Sequence, residues 1–246
     1  MNEVKIIGFG VVGKNMRKIF PDAAIHDPGV GLVNKEPCTM AVICVPTEMK
    51  KDGSADTSIV EKVISEHEAF IYLIKSTVPP GTTDRLINMT GKEIVFSPEY
   101  FGGTEHANYH DYDFVILGGS RYARKYAAEI YQKYVHPEKK FYFTDSKTAE
   151  LVKYMENCWL AAKVTFCNEF ARIAENIGVD YPVLRELFLA DPRVNRSHTF
   201  VYPEKPYYDS HCLNKDVPAL ITFCKNIGYN AKLMESISAI NSEFKR

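Results

Sequence analysis

One stretch near the start of the sequence constrains the fold more than any other: "VKIIGFGVVGKNMRKIF", residues 4–20. A short apolar strand leads into Gly8, Gly10 and Gly13, and a helical pattern follows. In the spacing GxGxxG the first glycine permits a tight turn, the second admits a pyrophosphate against the backbone, and the third lets helix and strand pack closely. The motif alone has low specificity, so an ordinary glycine turn is the alternative.

The residues after this helix favour a dinucleotide site. "AAIHD" predicts a second short strand that ends at Asp27, 14 residues after Gly13. An acidic side chain at this place accepts hydrogen bonds from the ribose hydroxyls of NAD and repels the 2′-phosphate of NADP. A plain turn residue before Pro28 is the alternative, but the position at a strand end favours the ribose contact. We therefore expect NAD as the cofactor.

Further strands and helices alternate along the first half of the chain. Helical stretches such as "TSIVEKVISEH" separate several apolar runs, which predicts an α/β fold with a Rossmann-like, doubly wound and mostly parallel sheet. Loops that follow the strands of such sheets line one crevice in which ligands bind. The alternative is that these loops are simply proline-rich turns with no binding role. The predicted strands are Met40–Val45, Ala69–Ser76, Glu93–Ser97 and Asp113–Gly119, and three loops follow: "VPTEMKKDGSAD", "STVPPGTT" and "SPEYFGG".

The pattern changes at Thr148, where about thirty residues lack proline and glycine until Gly178. Apolar residues at three- and four-residue steps predict a long central helix, followed by a small helical domain. We expect residues 1–147 to form the NAD-binding domain and residues 148–246 a central helical and dimerisation domain. The apolar stripe, which we interpret as core or dimer surface, comprises Val152, Met155, Trp159, Ala162, Phe166, Phe170, Ile173 and Ile177.

Two polar residues of this helix, Lys153 and Asn157, lie four residues apart and therefore on one face. An amine and an amide so placed could both reach a single oxygen atom. A solvated helix face is the alternative, and periodicity alone favours it.

Composition excludes several classes of partner. The formal net charge of −1 and a pI near 6.7 supply no basic surface for nucleic acid or an anionic membrane, so we expect a small-molecule partner. The six cysteines show no CxxC pair and no metal-ligand spacing, which predicts reduced thiols, no metal site and a cytoplasmic protein. No apolar stretch approaches the ~18 residues of a membrane span.

Seven motifs in order resemble the UDP-glucose 6-dehydrogenase family of nucleotide-sugar dehydrogenases. They are the glycine turn, "VPTE" with "DGSAD", "STVPPGTT", "SPEYF", "TAELVKYMEN", "KVTFCNE" and "CLNKD", and together they cover nearly the whole chain. The resemblance implies oxidation of the C6 alcohol of a nucleotide sugar to a carboxylate, with two NAD molecules and a thioester on a cysteine.

The resemblance also implies a role for each matching residue. Cys212 would form the thioester, Asp216 would help to handle the hydrolytic water, and Glu99 would join the water and proton network. Lys153 and Asn157 would stabilise the oxyanion, and Thr77 would be the active-site threonine. A homodimer through the helix 148–177 is implied as well. The implied cofactor residues are Gly8, Gly10, Val11, Val12, Gly13, Asp27, Pro46, Thr47, Ser76, Thr77 and Lys215, and the implied substrate residues are Tyr100, Phe101, Lys153, Asn157, Arg193 and Tyr208.

The chemistry around Cys212 agrees with a nucleophile. The residue lies just ahead of the helical pattern "DVPALITFCKNIG", and a helix dipole with nearby Lys153 and Lys215 would stabilise its thiolate. Covalent capture of an aldehyde divides a difficult second oxidation into two easier steps. We interpret the other five cysteines as structural: Cys38, Cys44, Cys158, Cys167 and Cys224.

The sequence departs from the family pattern in three places. "KPYYDSHC" replaces a glycine-rich loop before the cysteine, and a second glutamate of the family falls on Gly103, with Glu105 nearby. The sequence ends at "ISAINSEFKR", about where the family begins its C-terminal nucleotide-sugar-binding domain. These departures leave an alternative function open: an NAD-binding, weakly active or inactive protein that partners or regulates a full-length dehydrogenase. A hydroxyacid dehydrogenase with a similar sheet would leave Cys212 unexplained.

Overall fold

The computed structural model describes residues 2–101 and 113–245. The chain forms two compact units, of which the first comprises residues 1–48 and 55–153 and the second residues 49–54 and 154–246. The division falls inside one long helix, between Lys153 and Tyr154. The boundary expected from the sequence, at residue 147, lies at the second residue of the same helix.

In the described part of the first unit, seven strands form one sheet in the order β2-β1-β3-β4-β5-β6-β7. Neighbouring strands pair in parallel, except that β5 and β6 are antiparallel. This arrangement is the mostly parallel sheet that the sequence predicts. The strands are β1 Asn2–Ile7, β2 Ala24–His26, β3 Cys38–Ile43, β4 Ala69–Ile74, β5 Ile94–Phe96, β6 Phe114–Gly118 and β7 Lys140–Thr144.

Helices cover both faces of this sheet, because alternate residues of a strand point to opposite sides. Ile6, Val42 and Leu73 belong to one buried cluster, whereas their neighbours Ile43 and Ile74 belong to another. The helices of the first unit are α1 Val11–Ile19, α2 Ser58–Glu66, α3 Thr82–Thr90 and α4 Arg121–Gln132. Residues of α1 and α4 pack in the first cluster, and residues of α2 and α3 pack in the second. The fold is therefore doubly wound.

The long helix α5 spans Ser146–Asn176, close to the limits that the sequence predicts. Much of its apolar stripe is exposed: Met155 is 73% exposed and Trp159 is 62% exposed. Within the second unit, α5 is followed by three further helices, α6 Tyr181–Phe188, α7 His211–Asn226 and α8 Lys232–Phe244. The hydrophobic cluster of this unit contains Cys158, Ala161, Tyr208, Leu213, Val217 and Ile237.

Candidate active site

The three glycines of the first turn have three different surroundings. Gly8 has a φ of +90°, and a Cβ there would lie 2.6 Å from the carbonyl oxygen of Cys44. A Cβ on Gly13 would lie 2.0 Å from the carbonyl oxygen of Gly8, so α1 and β1 approach each other closely at this point. A Cβ on Gly10 would meet nothing within 4 Å. The open space beside Gly10, at the N-terminus of α1, fits the approach of a pyrophosphate.

Asp27 lies directly after β2 and is held beside this turn. Its Oδ2 accepts a hydrogen bond from the backbone N–H of Phe9 at 2.7 Å, and its Oδ1 accepts one from the N–H of Gly29 at 2.9 Å. The side chain thus caps the short 3-10 turn Pro28–Val30 and also contacts the glycine turn. Each carboxylate oxygen keeps a further lone pair for a ribose hydroxyl.

The loops after β3 and β4 meet at the same edge of the sheet. The hydroxyl of Thr47 donates to the carbonyl oxygen of Thr77 at 2.8 Å. The hydroxyl of Ser76 donates to the carbonyl oxygen of Val45 at 2.6 Å. Thr47 and Thr77 are buried, and Pro46 is exposed. In α1, Val11 is exposed and Val12 is half-buried. The structure therefore brings Thr47, Ser76 and Thr77 together, as expected for residues that line one crevice.

Glu99 and Lys153 form a buried pair in the first unit. The Nζ of Lys153 lies 3.6 Å from Oε1 of Glu99, and Oε2 of Glu99 accepts from the N–H of Phe101 at 2.8 Å. The same Nζ lies 5.3 Å from the ring centroid of Tyr100, within cation–π range. Four residues expected at the substrate or in catalysis thus share one cluster.

Lys75, at the end of β4, supports this cluster and was not predicted from the sequence. It is 6% exposed, and its Nζ donates to the hydroxyl of Ser97 and to the carbonyl oxygen of Pro98, both at 3.0 Å. Burial lowers the pKa of Lys75 to about 8. Because Pro98 precedes Glu99, these bonds fix the peptide that carries the carboxylate. A cavity of about 240 Å³ is lined in part by Lys75, Glu99 and Tyr100.

A second polar cluster lies within the second unit. The amide nitrogen of Asn157 donates to Oδ2 of Asp216 at 2.6 Å, and the Nζ of Lys215 lies 2.6 Å from Oδ1 of the same carboxylate. Asp216 is 1% exposed. Lys153 and Asn157, expected to reach one oxygen, therefore each have an acidic partner of their own.

Cys212 is exposed and lies in the first turn of α7. The sequence predicts this helix to begin after Cys212, but it begins at His211 because the hydroxyl of Ser210 caps it by accepting from the N–H of Leu213 at 3.3 Å. Pro218, which suggests a helix start, lies inside the helix instead. The thiol is therefore close to the N-terminus of the helix and the positive end of the helix dipole. The remaining cysteines, all buried or half-buried, are Cys38, Cys44, Cys158, Cys167 and Cys224.

The last two residues expected at the substrate differ in exposure. The side chain of Arg193 is 88% exposed and pairs with Asp191 at 2.6 Å. Tyr208 is buried in the hydrophobic cluster of the second unit, and its backbone N–H and carbonyl both bond to the side-chain amide of Asn241. Burial thus gives the ring of Tyr208 a packing role in this unit. Gly103 and Glu105 lie outside the described residues.

The described residues offer neither a metal site nor a membrane span. Residues 2–101 and 113–245 contain no group of three or more His, Cys, Asp or Glu side chains that could hold a metal ion. Over the same ranges, no helix has the length and apolar character that a bilayer crossing requires.

Comparison with known proteins identifies relatives along most of the chain. Residues 33–135 match the NAD binding domain of the UDP-glucose/GDP-mannose dehydrogenase family, and residues 147–243 match its central domain. A UDP-N-acetyl-D-mannosamine dehydrogenase of Methanocaldococcus jannaschii is 30% identical over 98% of this chain and 57% of its own length. A UDP-glucose 6-dehydrogenase of Rickettsia bellii is 29% identical over 82% of this chain and 48% of its own length.

A solved structure shows the same fold. The UDP-glucose dehydrogenase of Pyrobaculum islandicum superposes with a TM-score of 0.80 at 21% identity, covering 99% of this chain and 68% of that one. This chain spans about half to three-fifths of the length of the two curated relatives above.

These matches, with the sheet and the glycine turn, define a protein of Rossmann-like fold whose cofactor is NAD. The chain belongs to the UDP-glucose/GDP-mannose dehydrogenase family. The family, the fold class and the cofactor predicted from the sequence are confirmed.

Proposed function

We propose that this chain catalyses the NAD-dependent oxidation of the C6 alcohol of a nucleotide sugar to a carboxylate, with Cys212 as the covalent nucleophile. One observation carries the proposal. The exposed thiol of Cys212 lies in the first turn of α7, and the buried carboxylate of Asp216 follows one turn later on the same helix. A helix N-terminus stabilises a thiolate, and residues four apart share one helix face.

The chemistry balances as two successive two-electron oxidations. Bound NAD would accept one hydride in each of them, and the hydroxyl proton lost in the first oxidation passes to water. After the first, C6 is an aldehyde, and the Cys212 thiolate adds to it to form a carbon–sulfur bond. Loss of the second hydride leaves a thioester on Cys212. Water then attacks the carbonyl carbon, the carbon–sulfur bond breaks, and the carboxylate leaves with the thiolate restored.

The buried polar clusters supply the remaining roles. Lys153, paired with Glu99, and Asn157, paired with Asp216, provide an ammonium and an amide N–H for the oxyanion that forms in each addition. Asp216 and Glu99 provide carboxylates that can take a proton from the attacking water. Thr77, fixed through its carbonyl oxygen by Thr47, presents its hydroxyl on the loop after β4.

Formation of NADH from a panel of nucleotide sugars, with and without Cys212→Ser, tests this function. We expect net acid formation by the unchanged protein and none by the variant, while both bind NAD equally. Acid formation by the Cys212→Ser variant, or an absence of NADH with every sugar of the panel, would contradict the proposal.

A second candidate function is an NAD-binding protein that partners or regulates a full-length dehydrogenase. It is favoured by the segment before Cys212, where Tyr208 is buried and pinned by Asn241 in place of a glycine-rich loop that would wrap a substrate. Under this alternative, Cys212 reacts with iodoacetamide no faster than Cys38 or Cys224, and no nucleotide sugar yields NADH.

We also propose a homodimer in which α5 of each chain contributes its exposed apolar stripe. Met155 and Trp159 of the helix, and Ile177 directly after its end, are each exposed by more than half. Contiguous exposed apolar surface of this kind marks interaction sites. Light scattering at micromolar concentration should give the mass of a dimer, and a monomer alone would contradict the proposal.

A further inference from the structure

Glu150 is a fully buried carboxylate to which the proposed reaction gives no role. It lies on the second turn of α5 and is 0% exposed. Its Oε2 accepts a hydrogen bond from the N–H of Gly81 at 2.5 Å, and its Oε1 accepts one from the N–H of Thr83 at 2.8 Å. A side chain of α5 therefore binds the start of α3, nearly seventy residues earlier in the chain.

Helix α3 has no capping side chain of its own. Its N-cap residue is Gly81, with a φ of +91° and no side-chain oxygen to accept from the first N–H groups. Those groups require acceptors when they are buried, and a negative charge is favourable at a helix N-terminus. Glu150 supplies both the acceptors and the charge from another element.

The two segments that Glu150 joins both carry residues of the candidate site. Thr77 begins the loop that ends at Gly81, and the hydroxyl of Thr47 holds the beginning of this loop. On the other side, Lys153 follows Glu150 by one helical turn, and its Nζ lies 3.6 Å from Glu99. The carboxylate thus fixes the far end of the loop to the helix that positions Lys153.

We propose that Glu150 is a positioning residue that holds the Thr77–Gly81 loop and the first turns of α5 in one arrangement, and so places Thr77 and Lys153 relative to each other. The inference rests on the proposed function, which gives both residues their roles. Ala149 supports the same contact, because it is fully buried against the sheet beside Gly118.

The geometry requires a carboxylate of this length. In Glu150→Gln, one of the two acceptors becomes an NH2 group that faces a backbone N–H, so one bond is lost and two donors oppose each other. In Glu150→Asp, the charge remains but the side chain is shorter by one bond of ~1.5 Å. Both variants should loosen the contact between α5 and the start of α3 while α5 remains helical.

Protonation of Glu150 should weaken its contact with α3 in the same way as the Glu150→Gln substitution. Burial raises the pKa of Glu150 to about 7, against the lowering effect of its bonds to Thr83 and Gly81. The charged group that acts on it is Asp84 in the first turn of α3, whose Oδ2 lies 3.8 Å from the Nζ of Lys147 in α5. Because the neutral acid offers a proton where the N–H donors need acceptors, the contact should weaken as the pH falls below about 7.

The test measures NAD affinity by calorimetry at 25 °C and the rate of Lys153 acylation by acetic anhydride, followed by mass spectrometry. The proteins are the wild type, Glu150→Gln, Glu150→Asp and the control Glu175→Gln, which alters an exposed glutamate of the same helix. In both Glu150 variants we expect about tenfold weaker NAD binding and at least fivefold faster acylation of Lys153. The control should match the wild type in both measurements.

Circular dichroism at 25 °C establishes that each variant is folded. If Glu150→Gln is unfolded, two other measurements test the proposal. Glu150→Asp should bind NAD more weakly than the wild type, and the NAD affinity of the wild type should fall between pH 8 and pH 6. Variants with a lower melting temperature but unchanged NAD affinity and unchanged Lys153 acylation would show that Glu150 only stabilises α3, which overturns the proposal. If the wild type binds no NAD, the proposed function fails, and the acylation rate alone decides the role of Glu150.

Discussion

Gly10 and Gly13 offer a pair of matched substitutions that should separate stability from cofactor binding. In Gly13→Ala the new Cβ would lie 2.0 Å from the carbonyl oxygen of Gly8, so α1 and β1 must separate by at least 1.0 Å to reach the 3.0 Å below which real contacts do not occur. This movement disturbs Met16, which α1 buries completely in the core. Overpacking costs ~1–3 kcal/mol, and alanine in a helix returns up to ~1 kcal/mol. We expect a net loss of about 2 kcal/mol in the free energy of unfolding.

Gly10→Ala should behave in the opposite way. The new methyl group meets nothing within 4 Å, and the φ of −74° suits alanine, so the loss of stability should stay within ~1 kcal/mol, as for other N-cap changes. The same methyl group occupies the space that a pyrophosphate needs, and NAD affinity should fall at least ~10-fold, or ~1.4 kcal/mol. Urea unfolding measures the first effect and calorimetry the second. Equal stability of the two variants, or normal NAD binding by Gly10→Ala, would refute the reasoning.

Three further predictions concern single side chains. Calorimetry should show NAD binding tighter than NADP, and Asp27→Ser should reduce the difference, because Asp27 is held beside the glycine turn; equal binding of both cofactors by the wild type would contradict this. Peptide mapping after iodoacetamide treatment should show Cys212 reacting faster than Cys38 or Cys224, since Cys212 is exposed at a helix N-terminus and the other two are buried. Burial lowers the pKa of His67 to about 4 from 6.5, beside Lys5, His26, Lys35 and Lys92, so the neutral form is required in the folded state. Relative to His67→Phe, the wild type should therefore lose up to about 3 kcal/mol in the free energy of unfolding as the pH falls from 6.5 to 4. If urea unfolding shows the same pH dependence for both proteins across that range, this prediction is wrong.

The sheet could be predicted because its central strands are continuous apolar runs bounded by turn residues. The edge strand β7, Lys140–Thr144, was missed because its aromatic run is only three residues long and shows no alternation with polar residues; Tyr142 and Phe143 remain exposed in the fold. The start of α7 was placed too late because the helical pattern begins only at Asp216, whereas Ser210 is the cap and the helix begins at His211. Local signals thus located elements but not always their ends.

Lys75 and Glu150 escaped prediction for a different reason. A lysine at a strand end and a glutamate in a helix are ordinary surface residues unless a partner elsewhere in the chain accepts or donates their hydrogen bonds. Those partners are backbone groups of Pro98, Gly81 and Thr83, and sequence gives no sign of which backbone groups a fold leaves unpaired. Burial of such charges becomes visible only in the folded chain.

Helix α5 shows how function can reverse the usual helical pattern. Glu150, Lys153 and Asn157 follow one another at steps of three and four residues, so they form a polar stripe, yet all three are buried. Met155 and Trp159, which belong to the apolar stripe, are exposed instead. Burying charged and amide groups costs free energy unless each group is paired. Each of the three has a partner: Glu150 accepts from the N–H groups of Gly81 and Thr83, Lys153 pairs with Glu99, and Asn157 donates to Asp216. A helix that served packing alone would place these two stripes the other way round. The proposed roles of Lys153 and Asn157 in the reaction and of Glu150 in positioning account for the polar stripe, and the proposed dimer accounts for the apolar stripe.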